Sequence, residues 1–91
     1  MIDITKYREK AEKLKVLAHP HRLCIVKGLI DKSCNVTKIQ ECMSLPQSTI
    51  SQHLAKLRAA GIISGSRNGL EVCYRVEDEE VKSIVGLLLK D

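Results

Sequence analysis

The side chains with chemistry to offer concentrate between Leu45 and Val76, in "LPQSTISQHLAKLRAAGIISGSRNGLEVCYRV". Gln47, Ser48, Thr49, Ser51 and Gln52 are short, uncharged hydrogen-bonding residues, followed at once by His53 and Lys56. Such residues make a poor core, because each buried polar atom needs a partner. At about 100° per residue, Ile50, Leu54 and Leu57 share one face of a helix, and Ser48, Gln52, Ala55 and Ala59 lie opposite, flanked by Ser51 and Lys56. That outer face, polar and slim, fits a DNA major groove roughly 12 Å wide. In such a groove Gln can pair with adenine, Ser and Thr can reach a base or a phosphate, and N–H groups at the helix start can hold a phosphate. The same face would also suit an ordinary solvated helix. His53, beside the apolar stripe, suits either a local bond or a phosphate. Arg67 and Asn68 follow at the expected tip of a hairpin, with Arg75 on its second strand, where they can meet the DNA backbone or minor groove.

The flanking sequence supplies the elements that must hold this helix. Ile4, Tyr7, Ala11 and Leu14 recur at steps of three and four, so Thr5 to Leu17 reads as an amphipathic helix. Pro20 ends it and opens a second helix, from about His19 to Asp31, with Leu23, Val26 and Ile30 on its stripe. Asn35 suits the N-cap of a short third helix holding Val36, Ile39 and Met43. The polar helix then spans about Pro46 to Ala60 and stops at Gly61. Ile62 to Arg67 and Leu70 to Val76 read as strands joined by Asn68-Gly69, a two-residue hairpin signal. Glu77 or Asp78 caps a last helix carrying Val81, Ile84, Val85, Leu88 and Leu89 on one stripe. The order α-α-α-α-β-β-α, mainly helical with a small β-hairpin, predicts a single winged helix-turn-helix domain over residues 1–91.

Composition narrows the partner. The 91 residues carry a net charge of +4, and the excess is uneven. Residues 46–76 hold four Lys/Arg against Glu71 alone, whereas residues 77–91 hold five acids against two lysines. The middle suits phosphates and the C-terminus does not. The aromatic residues are only Tyr7 and Tyr74, which excludes a base-stacking reader of single strands. Met1 to Lys15 lacks a signal-peptide core and no run is long enough to span a membrane, so a cytoplasmic protein is expected, at the nucleoid, with reduced thiols.

"LPQSTISQHLAKLRAAGII" followed by "RNGLEVCYRV", together with "LAHPHRLCIV", resembles the arsenic-repressor (ArsR/SmtB) family of bacterial winged-helix regulators, over nearly the whole chain. The likeness is strongest to the branch without the usual metal sites (HlyU-like and PagR-like). It implies a homodimer built through the first and last helices, binding an inverted-repeat operator and usually repressing. The interface would then draw on Ile4, Tyr7, Ala11, Leu14, Val81, Ile84, Val85 and Leu88, whose stripes exceed what one small domain easily covers. Two recognition helices would stand about 34 Å apart, one turn of DNA.

The family's metal ligands are missing. Where the arsenic or cadmium type has Cys-Val-Cys, this chain has Asn35-Val36-Thr37, and the last helix contains no histidine for the zinc type. No metal and no cofactor are therefore expected; His19 and His21, beside Pro20, suit capping or surface roles better than ligation. No cysteine pair has Cys-x-x-Cys spacing. Cys24 and Cys42 fall beside apolar stripes, and Cys24 reads as a small buried or half-buried hydrophobe. Strand alternation turns Val72, Tyr74 and Val76 inward and Cys73 outward with Glu71 and Arg75. Cys73 is then either a plain surface thiol or a redox switch, with Cys34 and Cys42 as further candidates; Arg75 would favour its thiolate.

These readings converge on a DNA-binding transcriptional regulator, a homodimeric repressor with a candidate thiol response. A winged-helix module that binds protein instead of DNA is the alternative. No constellation here could orient a nucleophile, so an enzyme is not expected.

Overall fold

A computed structural model describes residues 2–32, 40 and 43–90, without the side chains of Asn68 and Glu71. Four helices and one hairpin are seen among them: α1 (Ile4–Leu17), α2 (Pro20–Asp31), α3 (Gln47–Ala59), β1 (Ile63–Asn68), β2 (Glu71–Val76) and α4 (Glu79–Leu88). The short helix expected from Asn35 to Met43 falls mostly outside the described residues. With it set aside, the order is that of the winged helix-turn-helix.

Three of the four described helix starts carry a side-chain cap. Asp3 Oδ1 accepts from Thr5 N at 3.0 Å, His19 Nδ1 from His21 N at 3.1 Å, and Asp78 Oδ1 from Val81 N at 3.1 Å. These bonds satisfy first-turn N–H groups that have no partner within the helix. α3 differs: it follows Pro46 and has no side-chain cap. The turn before it passes through Ser44 at φ +52°, a left-handed conformation uncommon for serine.

The core is one cluster. α2 contributes Ile25, Val26 and Leu29, α3 contributes Ile50, Leu54 and Leu57, and α4 contributes Val81 and Val85; Ile62, Ile63 and Val76 close it from the hairpin. Burying a side chain of this size contributes roughly 1.5–3 kcal/mol. α2 is central, packing against α1, α3, α4 and β2.

α3 ends in a way that aims the hairpin. Gly61 N donates to Arg58 O and Ile62 N to Leu57 O, both at 3.0 Å, with Gly61 at φ +74°. This crossed pair is a Schellman motif, which needs a left-handed residue that glycine supplies without strain. It turns Ile62 and Ile63 straight into the core. β1 then pairs antiparallel with β2, from Ile63 opposite Val76 to Asn68 opposite Glu71. The turn therefore lies at Gly69-Leu70, one residue beyond the expected Asn68-Gly69. Gly69 has φ +69° and Leu70 does not, which places glycine first in the turn, as the II′ type requires.

α1 stands partly away from this body. Residues 4–12 are all exposed, and only Leu17 of the helix is buried. The radius of gyration, 13.7 Å, exceeds the about 12 Å expected for a compact domain of this length.

Candidate nucleic-acid interface

Ile50, Leu54 and Leu57 hold α3 down with at most 6 % of their surface exposed. Gln47, Ser48, Ser51, Gln52, Ala55, Lys56 and Ala59 are exposed, and Thr49 is half-buried. The outer face is thus the one the helical spacing predicts. It contains no acidic residue, and Arg58, which the sequence reading passed over, is exposed at its C-terminal end. On the wing, Arg67 and Arg75 are exposed, whereas the Asn68 side chain lies outside the described atoms. Leu70, at the hairpin tip, is fully exposed.

His53 belongs to the interior and not to a phosphate-contacting surface. Only 8 % of it is exposed, and Arg22 Nε donates to its Nδ1 at 3.1 Å. The same guanidinium donates through Nη1 to Val16 O at 3.1 Å, so Arg22 on α2 bridges α1 and α3. The rings of His19, His21 and His53 lie close together, with centroids 4.6 to 5.9 Å apart. Burial, then the neighbouring His19, Arg22, His21 and Lys56 charges, push the His53 pKa down. Burial and the Arg22, His21 and Lys56 charges do the same to His19. Both rings therefore favour the neutral form. Sequence spacing missed this cluster because 32 residues separate His21 from His53.

The expected dimer residues divide into two sets. Ile4, Tyr7, Ala11, Leu14 and Leu88 are exposed, and Ile84 is half-buried. Val81 and Val85 are instead fully buried within their own domain, because α4 packs against α2 and β2, so they have no surface to offer a partner. Ile2 and Leu87, not anticipated, add exposed apolar surface near the two ends. Two expectations for the cysteines also change. Cys24 is an exposed free thiol, neither buried nor half-buried, since its position on α2 points away from the core. Cys73 is half-buried and disulfide-bonded and therefore not a plain surface thiol; Cys34 and Cys42 lie outside the described residues.

A helix anchored by one face, carrying hydrogen-bonding residues on the other and followed by an arginine-bearing hairpin, defines a winged-helix DNA-binding protein. Residues 19–64 match the model of the bacterial regulatory protein, arsR family. The chain is 43 % identical to the transcriptional repressor PagR of Bacillus anthracis over 88 residues, covering 96 % of this chain and 88 % of that one. The crystal structure of PagR superposes with a TM-score of 0.82 at 42 % identity, over 94 % of this chain and 99 % of that chain. Reduced HlyU from Vibrio cholerae gives 0.84 at 32 % identity, over 91 % and 87 %. The chain belongs to the arsR family. It is a DNA-binding transcriptional regulator and not an enzyme. Among the described residues no helix is long and apolar enough to cross a membrane.

Proposed function

We propose that residues 1–91 form one domain of a homodimeric repressor that binds an inverted-repeat operator in duplex DNA, in the cytoplasm at the nucleoid, and responds to thiol oxidation. The observation that carries this reading is the two-faced α3, buried through Ile50, Leu54 and Leu57 and exposed through Gln47, Ser48, Ser51 and Gln52. In this role Gln47, Ser48, Ser51 and Gln52 reach base edges, and Thr49 reaches a base or a phosphate. Lys56, Arg67, Asn68 and Arg75 meet the backbone. Repression is supported by the likeness to PagR, named as a repressor.

Dimerisation is supported by α1. A 14-residue helix is marginally stable alone in water, and this one exposes Ile4, Tyr7 and Leu14 along most of its length. A second copy covering that face would supply the missing packing, and the exposed Leu88 of α4 is a further apolar residue open to it. Regulation by oxidation is supported by the bonded state of Cys73 on the wing strand, and by the reduced form described for HlyU.

The test begins with selection of genomic fragments bound by the purified protein, with and without reductant. On the selected operator, Gln52→Ala should lose about 1–3 kcal/mol of discrimination against a changed base pair. Arg67→Ala should weaken binding to all sequences and lower the slope of log K against log salt by about 1. Unchanged specificity in the Gln52 variant would remove α3 from the reading role, and identical binding with and without reductant would remove the thiol response.

A further inference from the structure

The chain has three histidines, and all three meet at one place. His19 caps α2, His21 lies in its first turn, and His53 sits on the inner side of α3; one ring nitrogen from each lies within 4.8 Å of the others. We propose that His19, His21 and His53 bind a first-row transition cation of the zinc class, tying the start of α2 to α3. The inference stands apart from the DNA-binding reading.

The donor set fits that class of ion. Three imidazoles with an open fourth position are a recurring arrangement for zinc, and imidazole also suits copper and nickel. With Zn–N bonds of 2.0–2.1 Å, tetrahedral ligands stand about 3.4 Å apart. Closing from 4.8 Å needs only side-chain rotation, and His19 and His21 are half-exposed and can rotate. The His21 ring stands against the His19 and His53 rings, with centroids 5.4 and 5.9 Å away. Half-exposure also leaves a path for an ion and for a water in the fourth position.

Binding would change the bonds described above. His53 Nδ1 accepts from Arg22 Nε, so in the neutral ring the proton sits on Nε2. An ion at Nδ1 takes the lone pair that Arg22 uses. An ion at Nε2 moves the ring proton to Nδ1, where it opposes the Arg22 donor. By either route no net proton is released, and the cation and Arg22 compete for His53. Arg22 keeps its bond to Val16 O. His19 Nδ1 stands in the same relation to His21 N, so ligation also loosens the α2 cap. Arg22 and Lys56 oppose a second positive charge, so affinity should rise with ionic strength as their repulsion is screened.

The experiment is a titration of the reduced full chain with Co(II), read by visible ligand-field absorption, followed by displacement with Zn(II). The expected result is one Co(II) per chain with four-coordinate bands and no thiolate charge-transfer band. His21→Gln is the decisive variant, because it leaves the backbone N–H that the His19 cap uses. It should weaken Co(II) binding at least tenfold while circular dichroism stays unchanged, and His19→Gln should weaken Co(II) binding as well. Zn(II) should raise the melting temperature of the parent chain and leave that of His21→Gln unmoved. Absence of the bands, a thiolate charge-transfer band, or parent-like binding by His21→Gln each overturns the site.

Discussion

Helices α1 and α3 are nearly equal in length, 14 and 13 residues, yet they relate to the fold in opposite ways. α3 buries Ile50, His53, Leu54 and Leu57 and exposes a polar face, whereas α1 buries Leu17 alone and exposes Ile4, Tyr7 and Leu14. A helix that the domain holds rigidly can present exact hydrogen-bonding positions to a ligand. A helix that the domain hardly holds, with apolar residues facing water, gains its order from packing against another surface. In the proposed function the two exposed faces take two kinds of partner, DNA for α3 and a second chain for α1.

The sharpest way to break this contrast is to cut the anchor of α3. Leu57→Ala, at a position with no exposed surface, should lower unfolding free energy by about 2–5 kcal/mol in a denaturant titration. A loss below about 1 kcal/mol would mean that α3 is not fixed by its inner face. Next in size is the exposed face of α1. Leu14→Glu should weaken self-association at least tenfold, about 1.4 kcal/mol, in sedimentation equilibrium. If association were unaltered, the partner surface would lie elsewhere.

The smallest effect concerns the join between α1 and α4. Asp78 caps α4 and pairs with Lys13 Nζ at 2.5 Å. Burial alone would raise its pKa, but the Lys13 ammonium and the Val81 and Glu80 N–H groups outweigh that and hold it below 3.8. A carboxylate depressed on folding stabilises the fold above its unfolded value, and the stabilisation disappears as pH falls through the lowered value. Asp78→Ala should therefore cost about 0.5–2 kcal/mol at neutral pH. It should also flatten the loss of stability below pH 3.8, followed by thermal melting across an acid series. An acid limb as steep as the parent's would assign the acid sensitivity to other carboxylates.

The wheel of α3 was legible because a buried face and a polar face alternate at the helical period. Helix ends were legible too, because Asp78 and Gly61 act through bonds to residues within one turn, and Pro20 acts through its own fixed φ at the first position of α2. Reading failed where the deciding partner lies far along the chain. An apolar stripe does not state what covers it, so Val81 and Val85 passed for interface residues when α2 and β2 bury them. His53 read as a flank residue because its partner, Arg22, is 31 positions away. The hairpin slipped by one residue because glycine satisfies either register, and only the pairing of Asn68 with Glu71 selects between them.

The polar links between α1 and α4 also bear on the order in which the molecule opens. Lys10 and Lys13 reach Glu80, and Lys13 reaches Asp78, across 65 to 70 positions of chain. Joining segments so distant carries a loop-closure entropy that a few exposed charges offset poorly. The hairpin and the Schellman turn, by contrast, close over short spans and feed directly into the core. In an isolated chain the amides of α1 therefore exchange with solvent through a low-energy opening, while those of α2 and α3 wait for global unfolding. The segment that opens most readily alone is the one a second chain would protect.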